Sequence, residues 1–196
     1  MLDLGSNNLN GAIPQCLGEM SGLKVLDLSN NCLSGTINTT FNTEHRLSII
    51  SLYGNKLKGK VPPSLINCTN LEFLDLGNNE LNDTFPSWSG DLPHLQILSL
   101  RSNKLYGPIS DSRAYNSFAQ IGVIDLSSKG FTGDLLGSLF ENFQPMLIGE
   151  NSGTREYVAY TYFVFYANNL IVTTKGLDKE CHDPNWGPGR DEHSEP

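Results

Sequence analysis

Leu71–Pro86 reads LEFLDLGNNELNDTFP, and the chain repeats that phrase, with variations, along most of its length. Leu23–Asn38 is LKVLDLSNNCLSGTIN, Leu47–Pro62 is LSIISLYGNKLKGKVP and Leu95–Ser110 is LQILSLRSNKLYGPIS. A partial copy, LDLGSNNLNGAIP, opens the chain at Leu2–Pro14, and a degraded one, IGVIDLSSKGFTGDLL, occupies Ile121–Leu136. Superposed, the copies place Asn7, Asn31, Asn55, Asn79 and Asn103 at steps of 24 residues, with Lys129 in the sixth position, 26 residues on. A fixed period of this length is the mark of a solenoid.

Two apolar columns keep step with the asparagines: Leu2, Leu26, Ile50, Leu74, Leu98, Ile124, and Leu4, Leu28, Leu52, Leu76, Leu100, Leu126. Apolar residues alternating in this way predict a short strand with one face inward. A single repeat cannot bury that face, so successive strands stack as a parallel sheet at steps of roughly 4.7–4.9 Å. Six such steps make a sheet edge about 25 Å long. The asparagine column turns inward, where its amide both donates to and accepts from loop backbone that stacking removes from water. Gly11, Gly35, Gly59, Gly107 and Gly133 allow a backbone path closed to other residues. The steps Ile13-Pro14, Val61-Pro62 and Phe85-Pro86 then open the outer arc, where proline gives up no ladder bond. The fold class is an α/β solenoid: a superhelix with a parallel sheet on its concave face and a mostly 3-10 or irregular outer arc. Three exceptions predict a weaker C-terminal end: Asp83 stands where glycine is expected, Ser89 where Leu17, Phe41 and Leu65 are apolar, and Lys129 cannot accept a hydrogen bond.

Composition agrees with a turn-rich chain. Of 196 residues 38% are hydrophobic, and 19 glycines, 10 prolines and 20 asparagines punctuate them. A net charge of −8 excludes a nucleic-acid binder, which needs a basic face for phosphates. No apolar run is long enough to span a bilayer, and the first residues lack the pattern of a signal peptide, so they read as the middle of a repeat. Cys16, Cys32, Cys68 and Cys181 form no tight pair and no metal spacing; Cys68 shares a column with Met20 and Leu92 and reads as a buried apolar residue. His45, His94, His182 and His193 are scattered, with no nucleophile elbow, metalloprotease helix or phosphate loop. Cys181-His182-Asp183 with His193 reads as coincidence in an unstructured tail. No catalytic residue, metal site or cofactor is expected.

The pattern LxxLxxLxLxxNxLxGxIP resembles the plant-specific class of leucine-rich repeats, which includes receptor kinases, receptor-like proteins and polygalacturonase inhibitors. Longer phrases sharpen the likeness: IPQCLG at Ile13–Gly18, LSGTINTTF at Leu33–Phe41, GKVPPSLINC at Gly59–Cys68, LNDTFPSW at Leu81–Trp88 and LQILSLRSNKLYGP at Leu95–Pro108. These resemble the Cf-type receptor-like proteins of tomato, over residues 2–178. The resemblance implies perception of pathogen effectors or other protein ligands at the plasma membrane, on its extracellular side. It also implies that output passes to a receptor-kinase co-receptor through a full-length parent. Residues 1–136 are then repeats, and 137–178, including Val172–Gly176, a non-repeat island. Residues 179–196 form a disordered tail that departs from the family. The signal peptide, cysteine caps and membrane helix of the family are missing, which makes a fragment the expectation. A soluble polygalacturonase inhibitor is the alternative, though one of about ten repeats with caps at both ends is expected for that class.

Residues facing outward from the strands predict the ligand surface: Asp27, Ser29, Ile49, Ser51, Tyr53, Phe73, Asp75, Ser99 and Arg101. Aromatic and arginine anchors among acids suit an interface, although the same positions could simply solvate the sheet. Tyr157, Tyr160, Tyr162, Phe163, Phe165 and Tyr166 offer a second aromatic surface, more readily explained by packing and an aggregation hazard in isolation. Glycosylation sequons stand at Asn38, Asn67 and Asn82, a number chance alone would give. Asn38 and Asn67, on turns and outer arc, are favoured over Asn82, which sits beside the sheet. With its first strand unpaired and its apolar end uncapped, the chain is expected to aggregate or unfold readily when isolated.

Overall fold

Each repeat becomes one coil with two strands, and the structure, a computed structural model, describes residues 1–42, 44, 46–109, 118, 120–127 and 130–134. In chain order the first three coils carry β1 (Leu2–Asp3), β2 (Asn10–Gly11), β3 (Val25–Asp27), β4 (Cys32–Thr36), β5 (Ile49–Ser51) and β6 (Lys56–Gly59). The next three carry β7 (Phe73–Asp75), β8 (Glu80–Leu81), β9 (Ile97–Ser99), β10 (Gly107–Pro108), β11 (Val123–Asp125) and β12 (Phe131–Thr132). The first strand of every coil joins one six-stranded parallel sheet in the order β1-β3-β5-β7-β9-β11. Its register follows the apolar column: Leu2 pairs with Leu26, Leu26 with Ile50, Ile50 with Leu74, Leu74 with Leu98, and Leu98 with Ile124.

The second strands form a sheet along the flank, β2-β4-β6-β8, with β10 and β12 as a separate pair. The break falls at Asp83. Glycines in that column take left-handed φ, 81° at Gly35 and 77° at Gly59, whereas Asp83 is absent from the positive-φ residues. Its side chain substitutes for the lost pairing: Oδ2 accepts the Val61 N–H at 3.2 Å and Oδ1 the Thr84 N–H at 2.9 Å.

Outer arcs follow the prolines. Short 3-10 helices run over Gln15–Glu19, Pro63–Asn67 and Ser87–Asp91, each directly after a proline of the apolar-proline step. Proline needs no amide partner at a helix start, and its φ is already set. In the second coil Asn38 takes that place, and no helix forms among the described residues that follow it.

Between sheet and arc lies one continuous core, built from Leu26, Leu28, Ile50, Leu52, Leu74, Leu76, Leu98 and Leu100 together with arc residues. Burying a side chain of this size contributes about 1.5–3 kcal/mol. Cys68 is fully buried in it, as its column requires, and burial pushes its thiol up to about 12. Ser89, in an otherwise apolar column, is also buried and satisfies itself by donating to the Pro86 carbonyl at 2.7 Å. Phe118, one coil on, packs its ring 6.2 Å from that of Phe85 in the same core.

The asparagine column ties the coils together. Asn79 Nδ2 donates to the carbonyls of Leu76 and Gly77 in its own coil and to that of Leu52 in the previous one. Its Oδ1 accepts the Leu57 N–H at 3.0 Å. Asn31, Asn55 and Asn103 repeat the pattern. What aims them inward is the residue before: Asn30, Asn78 and Ser102 have φ of 52°, 50° and 52°, and Ser6 and Gly54 are left-handed too. Lys129, the island at 137–178 with its aromatic run, and the 179–196 tail lie outside the described residues, as do Cys181, His45, His182 and His193.

Candidate ligand-binding face

On the six-stranded sheet the side chains that point away from the main core fall into three rows. The first is apolar: Val25, Ile49, Phe73, Ile97 and Val123 form a second hydrophobic cluster, distinct from the core beneath. Strands roughly 4.8 Å apart set each of these side chains against the next. The second row is Asp3, Asp27, Ser51, Asp75, Ser99 and Asp125; the third is Gly5, Ser29, Tyr53, Gly77, Arg101 and Ser127.

Acids of the second row brace the backbone before they offer charge. Oδ1 of Asp3, Asp27, Asp75 and Asp125 accepts the N–H two residues on, at 2.8–3.0 Å. This local turn bond favours a short acidic side chain where strand gives way to loop. One carboxylate oxygen on each is thereby committed to the fold.

A polar centre crosses three coils. The Arg101 guanidinium lies 5.0 Å from the Tyr53 ring centroid, and its Nε is 4.0 Å from Asp125 Oδ2. Tyr53 and Arg101 are two coils apart, and Gly77 between them makes the contact possible. A side chain there would begin 3.0 Å from Arg101 Cγ and from Asp75 Oδ1. Burial pushes the Asp75 carboxyl up to about 6; Asp125 adds to the rise, while the Gly77 N–H and the Arg101 guanidinium oppose it. The Ser99 hydroxyl beside it is buried, with no hydrogen-bond partner.

All nine sequence-derived contact residues sit on this face, but exposure corrects the expectation that they are presented to solvent. Ile49 and Phe73 are 1% and 4% exposed, and Ser29, Ser51, Asp75, Ser99 and Arg101 are buried as well. Only Asp27 and Tyr53 keep intermediate exposure. Strand alternation assigns a side of the sheet, whereas lateral packing within the apolar row and the Tyr53–Arg101–Asp125 contacts draw side chains out of water. Asp125, half exposed and opposed to Arg101, belongs to the centre and was not among the nine. Its signal was legible as the aspartate column.

The sequons separate by environment. Asn38 and Asn82 are exposed, while Asn67 is half-buried and its Nδ2 donates to the Phe41 carbonyl at 2.9 Å. Exposure therefore ranks Asn82 above Asn67, the reverse of the order expected from position. Among the described residues no group of His, Cys, Asp and Glu is arranged to hold a metal, and no helix is long and apolar enough to cross a membrane.

A sequence profile described as "Leucine rich repeat" matches residues 1–57 and 45–105, more than half of the chain. The chain belongs to the leucine-rich-repeat family. Among curated leucine-rich-repeat relatives it is 57% identical to the receptor-like protein Cf-9 homolog of Solanum lycopersicum, over 85% of its own length and 20% of the relative's. The chain thus spans about a fifth of the length of the curated relatives it matches. Among solved structures it is similar to the ectodomain of the Arabidopsis thaliana receptor kinase GASSHO1/SCHENGEN3 in complex with CASPARIAN STRIP INTEGRITY FACTOR 2. That match has a TM-score of 0.61 and 30% identity, over 71% of this chain and 17% of the other. The BIR3–SERK2 complex of A. thaliana aligns with a TM-score of 0.56 and 34% identity, covering 69% and 70%.

Proposed function

We propose that this chain is a non-enzymatic recognition element of a plant immune receptor-like protein, displayed outside the plasma membrane, where its concave face contacts a pathogen-derived protein ligand. The observation that carries this reading is the likeness to the tomato Cf-9 homolog, at 57% identity over 85% of the chain. A concave face that concentrates an aromatic ring, a guanidinium and carboxylates supports it, since such groups anchor protein interfaces. The bound factor in the GASSHO1/SCHENGEN3 structure and the paired receptors of the BIR3–SERK2 complex are precedents for a protein ligand and a receptor-kinase partner. Signalling passes through such a partner, and no cofactor takes part. Asn38 and Asn82 carry glycans, exposed as they are on the outer surface.

The test places residues 1–134 in the matching stretch of the Cf-9 homolog and scores leaf cell death against fungal apoplastic proteins. The chimera is expected to respond, and Asp27→Ala with Tyr53→Ala to abolish the response while leaving receptor accumulation unchanged. An undiminished response in the double variant would remove the concave face from recognition. Inhibition of fungal polygalacturonase by the soluble 196-residue chain would favour an inhibitor instead.

A further inference from the structure

The two ends of the stack carry complementary sets of unfilled positions. At internal junctions the ladder asparagine reaches back one coil. Asn31 takes the Leu9 N–H on Oδ1 and gives Nδ2–H to the Leu4 carbonyl; Asn103 treats Leu81 and Leu76 in the same way. Asn7 donates only within its own coil, to the Leu4 and Gly5 carbonyls, and its Oδ1 accepts nothing among the described residues. Beside it Leu4 and Leu9 are 39% and 40% exposed and Met20 is exposed too, although Leu57, in the column of Leu9, is 0% exposed.

At the far end the same columns finish in Leu126 and Phe131, both only partly buried against the core. No ladder asparagine follows them among the described residues. The sheet order leaves β1 paired only with β3 and β11 only with β9. Each end therefore presents a strand edge, an apolar face and the counterpart of the other's hydrogen-bonding groups.

We propose that copies of this chain join head to tail, β11 of one extending the six-stranded sheet of the next at its β1. The repeat fixes the register: Ile124 lies beside Leu2 and Asp125 beside Asp3, continuing the pairing of Leu2 with Leu26 and Asp3 with Asp27. Asn7 Oδ1 then accepts the Phe131 N–H of the neighbouring copy, and Asn7 Nδ2 donates to its Leu126 carbonyl. Leu4 and Leu9 close against Leu126 and Phe131. The contact uses different surfaces on the two copies and advances by one coil step, so it does not close into a dimer; it propagates. Aspartates meet across it, as Asp3 and Asp27 already do inside the molecule, and added salt strengthens the association.

The test uses the full 196-residue chain in sedimentation velocity over a concentration series. Species are expected to grow in mass with concentration without stopping at two. Leu4→Lys with Leu9→Lys should weaken association by at least ~100-fold, because an ammonium group has no partner in the closed junction. Those positions are exposed in the single copy, so its far-ultraviolet circular dichroism should not change. For register, Asp3→Cys and Asp125→Cys, each in a Cys16→Ser background, are mixed under mild oxidation. Strands at roughly 4.8 Å bring the two within disulfide reach, and peptide mapping should find a 3–125 link between copies. A monomer at all concentrations, association indifferent to the lysines, or 3–3 links in place of 3–125 would each overturn the proposal.

Discussion

Asn7 and Asn79 are the same residue at the same point of the repeat, and the difference between them is a neighbouring coil. Asn79 has a coil on either side and spends its amide on four backbone groups, one acceptor and one donor of which belong to the coil before. Asn7 holds only two carbonyls of its own coil and stays exposed. Leu76 and Leu4 repeat the lesson in the apolar column, one fully buried and the other open to solvent. The repeat motif therefore carries little stability by itself. Stability resides in the junction between coils, as a one-dimensional stack requires.

The largest effect separating interior from end is expected at the ladder. Asn79→Ala strands the Leu57 N–H and three carbonyls in a buried setting and should cost on the order of 4 kcal/mol; Asn7→Ala should cost less than about 1 kcal/mol. Urea unfolding of both variants checks this, and equal losses would break the comparison. Next in size, Leu76→Ala should cost about 3 kcal/mol through lost burial and the cavity left behind, against under about 1 kcal/mol for Leu4→Ala. A smaller effect concerns charge. Asp75 is buried with its carboxyl raised to about 6, so the folded state holds its proton more tightly than the unfolded chain, where the carboxyl sits near its ordinary value of 3.8. Stability is then fully present below pH 4 and declines as pH rises toward 6. Asp75→Asn keeps an acceptor for the Gly77 N–H and should gain on the order of 2 kcal/mol at pH 7, with no gain at pH 3.5. Melting curves at the two pH values check it, and a gain of equal size at both would remove the carboxyl as its source.

Much of the fold was legible because it depends on spacing alone. Strand positions, parallel register, inward asparagines, left-handed glycines and the buried Cys68 follow from residues recurring in step. The absent second-coil helix could also be read, from Asn38 in the place of proline. The left-handed column ahead of the ladder was harder. It holds serine at Ser6 and Ser102, which does not advertise that conformation, beside Asn30, Gly54 and Asn78, which do. The candidate face was half legible. Alternation gave its membership, but alternation cannot tell an outward side chain in water from one packed beside its neighbours, as Ile49 and Phe73 are. The cation over the ring was hidden for another reason. Tyr53 and Arg101 stand 48 residues apart in the chain, and only a residue without a side chain between them lets the two meet.

That missing side chain gives natural variation an inexpensive lever. A single methyl at Gly77 would start within 3.1 Å of Arg101 Cγ, Asp75 Oδ1 and Ser99 Oγ together. The guanidinium would have to swing off the ring, and the chemical character of the surface would change while the coils beneath kept their stacking. A lineage under pressure to recognise a different molecule could therefore retune its receptor at this one position without disturbing the scaffold.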